Sequence, residues 1–187
     1  MKKLYLIGGG GHCKSCIDVI EKSGEFAIAG IFDVASEVGK KVLNYPIIDI
    51  DQNIPKYVNE DSFFLITVGQ IKSPNLRIKL FEMNLNFATV ISPRAYVSKH
   101  AKVGLGTIVM HDALINAGAV IGSNCIINSK TLIEHDSLIG NHCHISTGSI
   151  INGDCIIGER TFIGSNSTIK NGQKIEAGSL ISYGEKA

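Results

Sequence analysis

From Ile91 onward the chain repeats every six residues without an insertion. Stepping by six from Ile91 meets Val97, Val103, Val109, Ile115 and Ile121, then an isoleucine at every step to Ile181. Four residues after each aliphatic up to Ile175 comes a small side chain, as at Ala95, Ala113, Cys125, Ser137, Cys143 and Ser149, with Gln173 the only break. The place directly after the aliphatic is often Gly or Asn, as at Gly104, Asn116, Gly122, Asn128, Gly140, Asn152, Gly158 and Gly164. These are read as the residues that tolerate a left-handed corner. A period of six fits neither a helix nor a long flat strand, but it fits a short strand and a turn repeated in series. Three such units bring the chain back to its start, and successive coils stack at about 4.8 Å, the spacing of paired strands. The branched aliphatics then point inward, and stability accumulates coil by coil along a quasi-one-dimensional core.

Composition narrows what such a chain does. With 187 residues, 44% hydrophobic and 19% charged, it is a folded protein rather than a disordered one. A net charge of +1 gives no electrostatic grip on nucleic acid or an anionic membrane, so a small molecule or a second copy of the chain is the expected partner. The start, MKKLYLIGGGGH, has an apolar run too short for a signal-peptide core, and no segment approaches the ~18 apolar residues of a membrane helix. A cytoplasmic protein with five reduced cysteines is expected.

Residues 1–90 follow a different grammar, which predicts two domains, 1–90 and 91–187. KKLYLI reads as a strand, HCKSCIDVIEKS as a helix ending at Gly24, FAIAGIFD as a second strand and SFFLITVG as a third. Ser73 and Pro74 read as the start of a helix running to about Met83. Alternating strands and helices predict a small Rossmann-like parallel sheet that binds ligands at the carboxyl ends of its strands. The loop Gly8-Gly9-Gly10-Gly11-His12 between strand and helix suits a pyrophosphate. Cys13 stands where GxGxxG needs its third glycine, so a tight turn without a ligand is the competing reading. Asp33 ends the second strand, where an acid would meet a ribose or a base. Cys13-Lys14-Ser15-Cys16 is a CxxC without a second cysteine pair nearby, and core packing is a better reading than zinc or redox chemistry.

Three of the six histidines fall within LIEHDSLIGNHCHISTG. His135 is two residues past an inward Ile133 and His144 five past Ile139, so neither takes a core slot. Three readings remain open on the residues alone: a zinc site, solvated surface histidines, or a general base oriented by an adjacent acid such as Asp136.

Together the two halves resemble the family of sialic acid O-acetyltransferases and UDP-4-amino-sugar N-acetyltransferases, a branch of the hexapeptide-repeat acyltransferases. The resemblance is carried by LIGGGGH, GIFD, VGQ followed by Arg77, IINSKTLIEHD and HCHISTG. It implies an α/β Rossmann-like N-terminal domain followed by a left-handed parallel β-helix, assembled as a homotrimer with His135 and His144 in a cleft between subunits. It also implies acetyl-CoA as acyl donor, a UDP-sugar as acceptor and no metal. On this reading His135 is the base that deprotonates the acceptor amine or hydroxyl, and Asp136 supports it. Gly153 offers a backbone N–H to the thioester oxygen, and Asn128 lies near the acceptor. His144, Gly153, Gly164 and Ser165 line the acetyl-CoA site. Gly10, Gly11 and His12 hold the phosphates of the nucleotide sugar, Asp33 its nucleoside, and Gly69 and Gln70 further acceptor contacts. The chain has Gly69-Gln70 where the family has Gly-Asn, and it stops at SYGEKA before the family's covering C-terminal segment, which predicts an open edge on the last coil. The leading expectation is N-acetylation of a UDP-linked 4-amino sugar in bacterial glycan assembly. The alternatives are O-acetylation of a sialic-acid-like sugar, a non-catalytic trimeric scaffold that senses a nucleotide, and a zinc hydratase on the same β-helix.

Overall fold

The computed structural model describes residues 1–69 and 74–187. The N-terminal half contains β1 (Lys2–Ile7), α1 (Gly11–Ser23), β2 (Phe26–Asp33), β3 (Lys41–Val42), β4 (Tyr45–Ile50), β5 (Ser62–Ile66) and α2 (Asn75–Phe81). The sheet order is β3-β4-β2-β1-β5. β1 pairs in parallel with β2 and β5, and β2 with β4, while β3 runs antiparallel to β4. The expected all-parallel sheet is therefore mixed at one edge. The β3–β4 hairpin escapes a sequence reading because β3 has two residues and β4 carries Pro46, which demotes a run to an edge or a non-strand. The expected helix around Ser73 to Met83 is α2 with Pro74 as its N-cap; Ser73 lies outside the described residues.

Helix α1 forms because its apolar residues recur on one side, burying Cys13, Cys16, Ile17, Val19 and Ile20. It stops at Gly24, whose left-handed backbone (φ 67°) returns its N–H to the Ile20 carbonyl.

From Val90 the chain winds as a left-handed parallel β-helix of two-residue strands on three faces. The first face holds the strands from Val90–Ile91 and Ile108–Val109 through His144–Ile145 to Leu180–Ile181. The second holds those from Tyr96–Val97 to Thr168–Ile169, and the third those from Lys102–Val103 to Lys174–Ile175. Each strand pairs in parallel and in register with the one a coil further on, as Leu114 with Leu132 and Ile115 with Ile133. Every aliphatic step from Val109 to Ile169 is buried, as the period predicts. The ends differ because no further coil covers them: Ile91 is 37% exposed, and Val97, Ile175 and Ile181 are partly so.

The corners work differently from the sequence reading. The left-handed residue stands three places after the aliphatic, not one, as at Asp112, Asn124, Lys130, Asp136, His142, Asp154, Arg160 and Asn166. Gly104, Gly122, Gly140 and Gly158 take ordinary φ values and are glycine for want of space, since a Cβ on any of them would meet the backbone or side chain of the next coil at 2.4–2.6 Å.

The N-terminal half sits on the first face. Cys13, Cys16, Ile17 and Ile20 of α1 share one cluster with Val90, Ile108, Met110 and Ile126, whose side chains point outward from that face. On the third face the same outward column, Val120, Leu138 and Ile156, is 38, 45 and 44% exposed. Arg77 of α2 bridges the halves: it is 3% exposed and donates to the carbonyls of Ile66 and Val68 at 2.8 Å and to Asn124 Oδ1 at 2.6 Å. Burial pulls its pKa down to about 10, which still leaves it charged at neutral pH.

Candidate active site

The candidate residues fall into two groups on different sides of the prism. His135 stands on the corner between the second and third faces, after Leu132–Ile133 and before Leu138–Ile139. Its Nδ1 lies 3.0 Å from Asp136 Oδ2, and the left-handed backbone of Asp136 (φ 60°) turns the carboxylate back onto its neighbour. One coil further on, the imidazole lies against Gly153, where a Cβ would come within 2.7 Å of both Cε1 and Nε2. Only glycine leaves the ring that resting place. The Asp154 N–H holds the His135 carbonyl at 3.1 Å, while the Gly153 N–H meets no acceptor among the described residues. Gly153 is itself buried, so this amide is unpaired but covered.

The corner is acidic. One ligand atom each of His135, Asp136 and Asp154 lies within 4.8 Å of the others, and neither aspartate is paired with a Lys or Arg among the described residues. Glu134 is held beside them by Asn116 Nδ2 at 2.8 Å. The hydrogen bond that Asp136 accepts raises the His135 pKa above the ordinary imidazole value; partial desolvation opposes this, and the charges of Asp136, Asp154 and Glu134 add to it. Asp154 is absent from the sequence reading, although a step of one coil from Asp136 finds it.

The second group gathers where α1 meets the first face. Gly8 and Gly9 are structural: Gly8 has φ 104° and its Cβ would strike Val68, and a Cβ on Gly9 would strike Asp33 and Ile47. At Gly10 and Gly11 a Cβ would meet nothing within 4 Å, so the space beside them is open. Asp33 spends an oxygen on the Gly9 N–H at 2.6 Å and the other on the Val34 N–H at 2.7 Å, which makes it a brace for the glycine loop. Asp51, at the end of the adjacent β4, has a buried Oδ1 without a partner among the described residues. Burial and then the Asp33 charge raise its pKa.

His12 packs against Gly69, where a Cβ would lie 2.7 Å from its own Cβ. Burial first, then Arg77 and His144, lower its pKa to about 3, so it is neutral and offers a hydrogen-bonding group rather than a cation. Its Nε2 is buried and has no partner among the described residues. The rings of His12 and His144 are 6.4 Å apart, Asn128 Nδ2 is 3.3 Å from His144 Nε2, and Phe162 meets His144 edge-on at 5.2 Å. Ser165 bonds Ser146 at 2.9 Å on the corner after the first face, Ser146 one coil beyond Asn128 and Ser165 in the coil after that, and Gly164 accepts from Ser149 at 2.8 Å. Gln70 lies outside the described residues.

The structure thus brings His12, Asn128 and His144 together, and separately His135, Asp136 and Gly153. Within one chain His135 occupies the corner opposite the face covered by the N-terminal half. His142 points elsewhere again, with Nδ1 3.0 Å from Asn124 Nδ2 and its ring edge-on to Phe81. His135, His142 and His144 do not converge on one ion. The CxxC cysteines are packed in the core with their pKa values raised by burial, Cys13 to about 11, so neither is a thiolate at neutral pH.

Residues 3–83 match the PglD N-terminal domain family, and residues 136–171 match the bacterial transferase hexapeptide (six repeats) family. The UDP-N-acetylbacillosamine N-acetyltransferase of Bacillus subtilis is 33% identical over 123 residues, 59% of this chain. An uncharacterised protein of Acanthamoeba polyphaga mimivirus is 33% identical over 106 residues, 57% of this chain. The chain spans 52% and 21% of these two relatives. The acetyltransferase domain of PglB from Neisseria gonorrhoeae superposes with a TM-score of 0.92 at 25% identity, covering 100% of this chain and 91% of that one. A perosamine N-acetyltransferase variant from Caulobacter crescentus, solved with CoA and GDP-perosamine, superposes at 0.90 with 29% identity, covering 100% and 89%.

Proposed function

We propose that this chain, a member of the hexapeptide-repeat acyltransferases that carry a PglD N-terminal domain, transfers the acetyl group of acetyl-CoA to the amine of a UDP-linked 4-amino sugar. The observation that carries this reading is the His135 imidazole, tied at Nδ1 to Asp136 and resting against Gly153, whose N–H has no acceptor among the described residues. The tied Nδ1 leaves Nε2 to act as the base. The amine, first freed of its ammonium proton to solvent, attacks the thioester carbonyl. A C–N bond forms and the oxyanion is met by the Gly153 N–H. His135 takes the second amine proton as the C–S bond breaks and passes it to the departing CoA thiolate, so one proton is released overall. Gly10, Gly11 and His12 receive the phosphates of the nucleotide sugar, with Asp33 and Asp51 beside its nucleoside. His144, Asn128, Gly164 and Ser165 line the space left to coenzyme and acceptor.

The acids around His135 favour an amine over a hydroxyl. An amine acceptor arrives as a cation, which Asp136 and Asp154 attract, whereas a sialic-acid-like acceptor carries its own carboxylate, which they repel. Asp154→Asn should therefore raise KM for a UDP-4-amino sugar about fivefold, the scale of one exposed charge pair. KM for acetyl-CoA should stay unchanged. Steady-state kinetics with amino-sugar and sialic-acid acceptors tests this; a faster reaction on the sialic acid would support O-acetylation instead.

The rate should also follow the proton on His135. The rising limb of kcat/KM should lie above the ordinary imidazole range, because the raised pKa keeps the base protonated to higher pH. Asp136→Asn removes the largest cause of that shift, so its limb should move to lower pH as its maximum falls. A limb that stays in place would remove Asp136 from the role of supporting acid.

This reading expects a cytoplasmic homotrimer. Its support is the exposed apolar column of the third face and the position of His135 away from its own glycine loop, which asks for the loop of a neighbouring copy. Among the described residues no helix is long and apolar enough to cross a membrane.

A further inference from the structure

Away from both groups, three polar side chains form a chain across the seam between the halves. Asp18 of α1 places Oδ2 2.7 Å from His111 Nε2, and His111 Nδ1 lies 2.6 Å from Ser92 Oγ. Ser92 and His111 stand on the corner between the first and second faces, in adjacent coils. The residue types are those of a hydrolytic triad, but the wiring is reversed, since serine meets Nδ1 and aspartate Nε2. Ser92 is also 1% exposed, so its hydroxyl is sealed from any substrate. Nucleophilic chemistry is excluded on both counts.

The hydrogen bonds have one consistent direction. Ser92 Oγ accepts the Arg94 N–H at 3.0 Å, and its own hydrogen has no acceptor but His111 Nδ1 among the described residues. That places the imidazole proton on Nε2, from which it is donated to Asp18. Ser92 is buried in the coil and Asp18 is on the open side of α1, with its side chain 68% exposed. The chain therefore ties the rim of the helix to a fixed point of the β-helix. The apolar seam beneath α1 holds it down without fixing its slide or roll, because apolar contact is not directional. Directed hydrogen bonds fix both.

We infer that Asp18, His111 and Ser92 form a clasp that positions α1, and with it the Gly10-Gly11-His12 start of that helix, over His144 for binding of the nucleotide sugar. The inference rests on the proposed function in taking the glycine loop as the phosphate site. Asp18 and His111 are positioning residues; neither touches a reactant.

The test compares full-length Asp18→Ala and Asp18→Asn with the unsubstituted protein. Asp18→Ala should raise KM for the UDP-4-amino sugar about fivefold, the scale of one lost hydrogen bond, and leave kcat and KM for acetyl-CoA within about twofold. Asp18→Asn keeps an oxygen that accepts the Nε2–H and should restore KM. An unchanged KM in Asp18→Ala overturns the clasp, as does a fall in kcat and thermal stability shared by both variants without a selective KM effect. If the unsubstituted protein accepts no nucleotide sugar, the proposed function fails on its own. The clasp is then read from hydrogen exchange at the Cys13–Ile17 amides, which should quicken in Asp18→Ala and recover in Asp18→Asn; equal exchange in all three proteins overturns it.

Discussion

His135→Ala should lower the acetyl-transfer rate by about 10²- to 10⁴-fold, the usual worth of a positioned general base. The fold should remain intact. The imidazole is half exposed on a corner and fills no core slot, so its removal opens no cavity. Its backbone carbonyl is held by the Asp154 N–H whatever side chain it carries. The loss should appear in kcat, with the circular dichroism spectrum and the thermal midpoint unchanged. A scaffold that only senses a nucleotide would lose nothing measurable, and a variant of near-normal rate would remove His135 as the base. A zinc hydratase would instead hold metal in stoichiometric amount, so metal analysis of the same preparation separates that case. His135, Asp136 and Asp154 are the one group of such donors close enough to hold an ion among the described residues.

Gly158→Ala should cost about 3 kcal/mol of stability, the upper end of what overpacking usually costs. The added Cβ would lie 2.4 Å from the Ala177 nitrogen and 2.7 Å from its Cα. Both are backbone atoms of the next coil, so no rotamer change relieves the overlap. The last coils should loosen first, because a solenoid transmits damage through nearest-neighbour contacts. Gly178→Asn is the matching control: its φ of 73° suits asparagine and nothing lies within 4 Å of the new Cβ, so the change should stay within about 0.5 kcal/mol. Denaturant titration of both variants checks the pair. Equal stability would mean that the next coil gives way to the added methyl and that want of space is not what selects glycine at 158.

That contrast marks how far the sequence could be read. The inward isoleucines were legible because each repeats one spatial role at a fixed step. The reason for glycine at the corners was not: want of space and a left-handed backbone select the same residue type, and only the coordinates separate Gly158 from Gly178. His135 was legible as an outward residue because it follows Ile133 by two. Asp154 was reachable by one coil step, though nothing local marks it. Arg77 reaches Asn124 across 47 positions and Asp18 reaches His111 across 93, with no period connecting either pair. Contacts of that kind arise when two separately folded surfaces dock. They leave no trace in the spacing of either one. The neutrality of His12 belongs with them, since part of the field that discharges it comes from Arg77 and His144.

The uninterrupted step from Val109 to Ile169 also quantises the length of this protein. Deleting one residue within a strand would turn every later side chain of the coil inside out, and deleting a whole face would move each later corner to the wrong side. Only an entire circuit can be gained or lost while the sides stay aligned. Tall corner loops can grow outward at little cost, but the winding itself admits change in whole turns alone.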